Sequence, residues 1–106
     1  MHNQAVRSRR QVLSRVRDHR DAIRALGVRR LGLFGSFARN EPGRESDVDI
    51  LVEFEAGQKT FDHFMRLAFL LEDLLGRPVE LVTAESLSPY LRPHIMEEVE
   101  DVPIAA

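Results

Sequence analysis

The stretch LFGSFARNEPGRESDVDILVEF, residues 33–54, decides how the rest of the chain is read. An apolar run ends in Gly35-Ser36, and a polar loop follows with a Pro42-Gly43 break. Two aspartates, Asp47 and Asp49, then stand at the mouth of a second apolar run. The second run, VDILVEF (48–54), is rich in β-formers and reads as a strand buried on both faces at its centre. Alternate strand residues face the same way, so Asp47 and Asp49 project together, roughly 6.5–7 Å apart at Cα from the rise of a strand. Two carboxylates so placed repel each other unless a cation lies between them. Buried without one, the pair raises one pKa and costs stability. A hard divalent cation such as Mg²⁺ takes oxygen ligands of this kind. At the other end of the stretch, Gly35 lets the backbone turn sharply and lets a ligand approach closely. Ser36 follows it where a helical turn begins, with a hydroxyl and free N–H groups suited to phosphate. Ser36 is equally a plain helix cap. Arg39 is either a phosphate ligand, a task that suits arginine, or a surface charge. The combination is more specific than its parts, because phosphoryl and nucleotidyl transfer need both a seat for phosphate and acids for the metal that bridges it.

Outward from this stretch, the periodicity predicts alternating helices and strands. Val12, Val16, His19, Ile23 and Leu26 share one face of a helix over 4–26, stopped by Gly27. RLGLF (30–34) reads as a short strand running into the Gly-Ser turn, and 36–40 as a helical turn. After a loop at 55–59, Thr60 caps a helix over 61–75 whose apolar stripe runs Phe61, Phe64, Leu67, Ala68, Leu71, Leu74 and Leu75. Gly76 ends it, VELV (79–82) is a third strand, and a last helix follows Pro93. The order α-β-α-β-α-β-α implies an α/β fold around a small sheet. Three strands are visible in the pattern, and the relative direction of the first two is open.

Composition bounds the function. The 106 residues suit a single domain over 1–106. There is no cysteine, hence no disulfide and no thiolate chemistry, which is compatible with a cytoplasmic protein. No stretch reaches the apolar length of a membrane span, and the arginine-rich start lacks the apolar core of a signal peptide. Charge is uneven: residues 1–30 hold nine arginines against two aspartates, while the whole chain carries a net charge of −2. A solvated helix face is the favoured reading of the basic segment. A nucleic-acid arm is the less favoured one, since aromatics for base stacking are not interleaved with the arginines. His19, His63 and His94 form no ligand spacing, and Ser36 has no visible base that would make it a nucleophile.

With these residues in view, GSFARNEPGRESDVDILVEF resembles the signature of the polymerase beta-like nucleotidyltransferase superfamily. Over roughly residues 10–100, including GRPVELVTAESLSPYLRPHI, the chain resembles the minimal nucleotidyltransferases, antitoxin partners of HEPN-domain ribonuclease toxins. The resemblance implies a polymerase beta-like fold, a small mixed sheet of three or more strands flanked by helices. It implies a metal site of three carboxylates, Asp47, Asp49 and a third acid at residue 80. It implies that Gly35 and Ser36, with Arg39 in reach, cradle the phosphates of ATP, and that Mg²⁺ bridges them. The implied reaction transfers AMP from ATP to a tyrosine hydroxyl of the HEPN toxin and silences it. Most active relatives carry aspartate at the third position, whereas this chain carries Glu80, one methylene longer. That departure keeps a second function open: neutralisation of the toxin by binding alone.

Overall fold

The computed structural model describes residues 4–104. The elements are α1 (Arg9–Asp18), α2 (Arg20–Arg24), β1 (Val28–Phe34), α3 (Gly35–Ala38), β2 (Val48–Phe54), α4 (Phe61–Leu75), β3 (Val79–Thr83), a 3₁₀ turn (Ala84–Ser86), α5 (Arg92–Glu98) and β4 (Glu100–Val102). They form a four-stranded mixed sheet in the order β3-β2-β1-β4. β1 runs antiparallel to β2 and to β4, and β2 runs parallel to β3 through the crossover helix α4. The direction of the first two strands, open in the sequence, is therefore antiparallel.

β2 and α4 form where their patterns place them. Val48, Ile50, Leu51 and Val52 are buried, so the centre of β2 is covered on both faces. In α4 the Thr60 hydroxyl accepts from the His63 N–H at 3.0 Å, and Gly76 adopts φ +65° at the other end. That left-handed residue is what ends the helix. Leu67, Leu71, Leu74 and Leu75 enter the core beside Leu31, Leu33 and Phe37. Phe61 departs from the expected stripe: it lies in the first turn of α4 and is 81% exposed.

The expected helix over 4–26 is broken. Ser8 caps α1 by accepting from the Gln11 N–H at 3.2 Å, so residues 4–7 precede the helix. Val6 there is buried, and its N–H donates to the Leu75 carbonyl at the end of α4. At His19 the ring Nδ1 lies 2.9 Å from the Arg15 carbonyl, the group its own N–H would otherwise use. The backbone N–H bonds to the Val16 carbonyl instead, and α2 restarts at Arg20. His19 itself is exposed, off the stripe formed by the buried Val12, Val16 and Ile23.

β1 starts at Val28, two residues before the expected start, across an irregularity between Val28 and Arg30. Its two arginines pair across the sheet: Arg29 and Arg30 donate to Glu53 at 2.9 and 3.2 Å, and Arg30 to Asp101 at 2.7 Å. The last helix begins at Arg92 with Pro93 in its first turn. β4 was not expected. It has three residues, two of them charged, and is defined by its pairing with β1. Among the described residues no helix is long and apolar enough to cross a membrane.

Candidate active site

The candidate site lies at one end of the sheet, where β1 delivers Gly35 and β2 delivers Asp49. Phe34 and Asp49 are partners in the antiparallel register, so the Gly-Ser turn and the second aspartate are neighbours by strand pairing. Gly35 has φ +75°, and a Cβ built on it would lie 2.1 Å from Asp49 Oδ2. Both observations require glycine: the backbone is left-handed, and the carboxylate rests where a side chain would begin. On the other flank, Asp49 pairs in register with Glu80 across the parallel β2–β3 ladder. Asp49 thus sits between the turn and the third acid. Asp47 is exposed just before β2 begins, and Glu80 is exposed on β3.

This crowding has an electrostatic consequence. Burial pushes the Asp49 carboxyl up to about 6, helped by the close approach of Glu80, as proton acceptor and as charge, and by the charges of Asp47 and Glu98. Four carboxylates therefore act on one spot, which is the field a cation relieves. The all-oxygen donor set of Asp47, Asp49 and Glu80 suits Mg²⁺ by chemistry. In the side-chain positions of this structure, no three Asp, Glu or His groups among the described residues converge closely enough to ligate an ion. Glu80 already stands against Asp49, so a bound ion would require Asp47 to close on that pair.

Arg39 follows α3 on the exposed rim, and its guanidinium pairs with Glu98 at 2.5 Å. Glu98, the last residue of α5, also accepts from the Gly35 N–H at 2.9 Å. Ser36 is half-buried, and its carbonyl accepts from the Glu41 N–H at 2.8 Å, closing the turn. Sequence reasoning missed two residues that shape this end of the molecule. Glu98 is 63 positions from Gly35 and carries no local signal. Arg77 lies between the Gly76 helix stop and Pro78. Its side chain donates to the carbonyls of Val6, Gly43, Arg44 and Ser46 and stands 5.2 Å over the Phe37 ring. It fastens the loop joining Ser36 to Asp47, and only the fold reveals that role. A concavity of about 970 Å³ lies elsewhere, along α1 between Arg9, Arg10, Arg17 and Asn40, and is not lined by Asp47, Asp49 or Glu80.

The nucleotidyltransferase domain family matches residues 16–102, a span that contains β1, the Gly-Ser turn, all three acids and α5. The chain belongs to that family. Its members are enzymes of nucleotidyl transfer, and the mixed sheet described above is their fold. Among curated relatives, "Putative protein adenylyltransferase MJ0435" of Methanocaldococcus jannaschii is 46% identical over 72% of this chain and 81% of its own length. Protein adenylyltransferase MntA of Thermococcus cleftensis is 42% identical over 76% of this chain and 82% of its own. A solved structure described as a "putative minimal nucleotidyltransferase" superposes with a TM-score of 0.66 at 38% identity, covering 86% of this chain and 94% of that one. The fold also recurs, at 23% identity and a TM-score of 0.53, in a solved complex of a tri-AMPylated HEPN toxin with its MNT antitoxin from Shewanella oneidensis, covering 80% of this chain and 69% of that one.

Proposed function

We propose that this nucleotidyltransferase is a Mg²⁺-dependent protein adenylyltransferase that transfers AMP from ATP to a tyrosine hydroxyl of a HEPN-domain toxin and thereby neutralises it as a cytoplasmic antitoxin. The observation that carries the reading is Asp49, seated against the Gly35 backbone on one side and facing Glu80 on the other, with its carboxyl pushed up to about 6. The relatives named as protein adenylyltransferases and the AMPylated toxin in a complex of the same fold support the acceptor class.

In this reading the Gly35 N–H, Ser36 and Arg39 bind the phosphate oxygens of ATP. Asp47, Asp49 and Glu80 would hold the metal, which when bound neutralises triphosphate charge and eases departure of pyrophosphate. Asp49 must be ionised for this: its raised pKa, about 6, opposes loss of the proton but still lies below neutral pH, and a bound cation would favour the ionised form further. The acceptor hydroxyl forms a bond to the α-phosphorus, and the bond from that phosphorus to the bridging oxygen of the β-phosphate breaks. The hydroxyl proton passes to a carboxylate of the cluster, a role this reading gives to Glu80, exposed on β3 opposite Asp49. The longer side chain of Glu80 also supports a second reading, in which transfer is weak and the chain neutralises the toxin by binding.

Intact-mass analysis of the HEPN partner after incubation with this chain and Mg²⁺-ATP separates the two. Addition of one or more AMP groups, lost in Asp47→Ala and Asp49→Ala, is expected for the enzyme. Transfer retained in both variants would rule out the acidic cluster as the metal site. Full toxin suppression by the same variants would favour binding alone.

A further inference from the structure

We propose that Glu98 is a built-in occupant of the triphosphate seat, and that its carboxylate must leave Gly35 and Arg39 before a nucleotide can bind. The inference rests on the nucleotide-binding reading above and adds a regulating element to it. A single oxygen, Glu98 Oε1, accepts from the Gly35 N–H at 2.9 Å and pairs with the Arg39 guanidinium at 2.5 Å. These are the backbone and side-chain donors that the phosphate reading assigns to ATP. A carboxylate oxygen and a phosphate oxygen ask the same of such donors, a charge-assisted hydrogen bond from each. The two anions therefore compete for one place.

The way α5 is held suits a carboxylate that leaves. None of its side chains is buried, and no side chain caps its first turn. Met96 is 41% exposed and Ile95 is only half-buried, so little apolar burial holds this helix. The residue after Glu98 is, by contrast, fixed. A Cβ on Gly32 would lie 2.4 Å from Val99 Cγ1, so the Val99 side chain lies directly over the β1 backbone. Glu100 then pairs with Leu33 in the β1–β4 ladder. Glu98 stands between this weakly packed helix and the anchored strand, so its carboxylate can turn out of the seat while the β1–β4 ladder stays in place. Electrostatics favours departure as well. Glu98 belongs to the set of charges crowding Asp49, and an arriving triphosphate would add to that repulsion.

Calorimetric titration of the full chain with Mg²⁺-ATP tests this, using Glu98→Gln and Glu98→Ala. Glu98→Gln keeps the shape and removes the charge, and thermal melts check that both variants fold. Loss of the resident anion should tighten Mg²⁺-ATP binding by about tenfold in Glu98→Ala and by a smaller factor in Glu98→Gln, the scale of a charge-assisted hydrogen bond. The KM for ATP in AMP transfer should fall in the same order. Binding that is unchanged, or weakened as for a residue that ligates the metal, would overturn the proposal. Wild-type protein that binds Mg²⁺-ATP and transfers AMP while both variants match it removes the plug and leaves the enzyme reading standing. Failure of wild type and variants alike to bind Mg²⁺-ATP removes both.

Discussion

Helices α4 and α5 flank the candidate site and are made in opposite ways. α4 has fifteen residues, a threonine cap at its start, a left-handed glycine at its end and four buried leucines. α5 has seven residues, no side-chain cap and no buried side chain. The first is the crossover that sets β3 parallel to β2 and so brings Glu80 opposite Asp49. The second reaches the site through one carboxylate. The contrast separates two tasks within one small fold. Asp49 and Glu80, which the proposed reading gives to one ion, are set by strands held against a packed core. Glu98, which we propose yields to the nucleotide, sits on an element with little holding it.

The contrast breaks most visibly in the core. Leu71→Ala in α4 should cost about 2–5 kcal/mol of unfolding free energy in urea titration, because the leucine is fully buried. A loss as small as that of a surface change would mean that α4 does not anchor the site. Arg77→Ala comes next, at about 2 kcal/mol, because it leaves several loop carbonyls without a donor and removes the contact with Phe37. It should lower AMP transfer more than its stability loss explains, since the loop it fastens carries Ser36 and Asp47. Equal retention of activity and loop order would contradict that role.

Asp49 sharpens the comparison where the two regions meet. Its folded-state pKa is raised from 3.8 to about 6, so the fold holds the proton more tightly than the unfolded chain does. The stability this contributes is complete below about pH 4 and is lost as pH rises through 6. Asp49→Asn mimics the protonated form. In the metal-free protein it should be more stable than wild type above pH 6, by about 1 kcal/mol after allowance for solvent screening at a half-buried site. The difference should vanish near pH 4, and a pH-independent difference would refute the electrostatic account. Smallest of all, Met96→Ala on the exposed side of α5 should stay within about 0.5 kcal/mol of wild type. A core-sized loss there would erase the distinction between the two helices.

What could be read from the sequence follows the same division. β2 and α4 were legible to the residue, since each is long enough for its burial pattern and caps to agree. The Gly-Ser turn and the Asp-x-Asp pair were legible because strand alternation and glycine's freedom constrain them locally. That Gly35 and Asp49 touch was not, because contact depends on the antiparallel register of β1 and β2. β4 escaped notice because Glu100 and Asp101 give a strand no apolar signal, and the ladder with β1 alone defines it. The helix break at His19 turns on a side chain claiming a backbone acceptor, which periodicity does not register. Glu98 and Arg77 act across long sequence separations, so their roles appear only when the chain is folded.

In the proposed function the acids at the end of the sheet bind nucleotide through a divalent ion. Calorimetric titration of ATP into wild type and Asp49→Asn, each with and without Mg²⁺, tests this most directly. ATP binding that requires Mg²⁺ in the wild type and is lost in the variant is the predicted result. ATP binding of equal strength in both proteins, or binding indifferent to Mg²⁺, would contradict it.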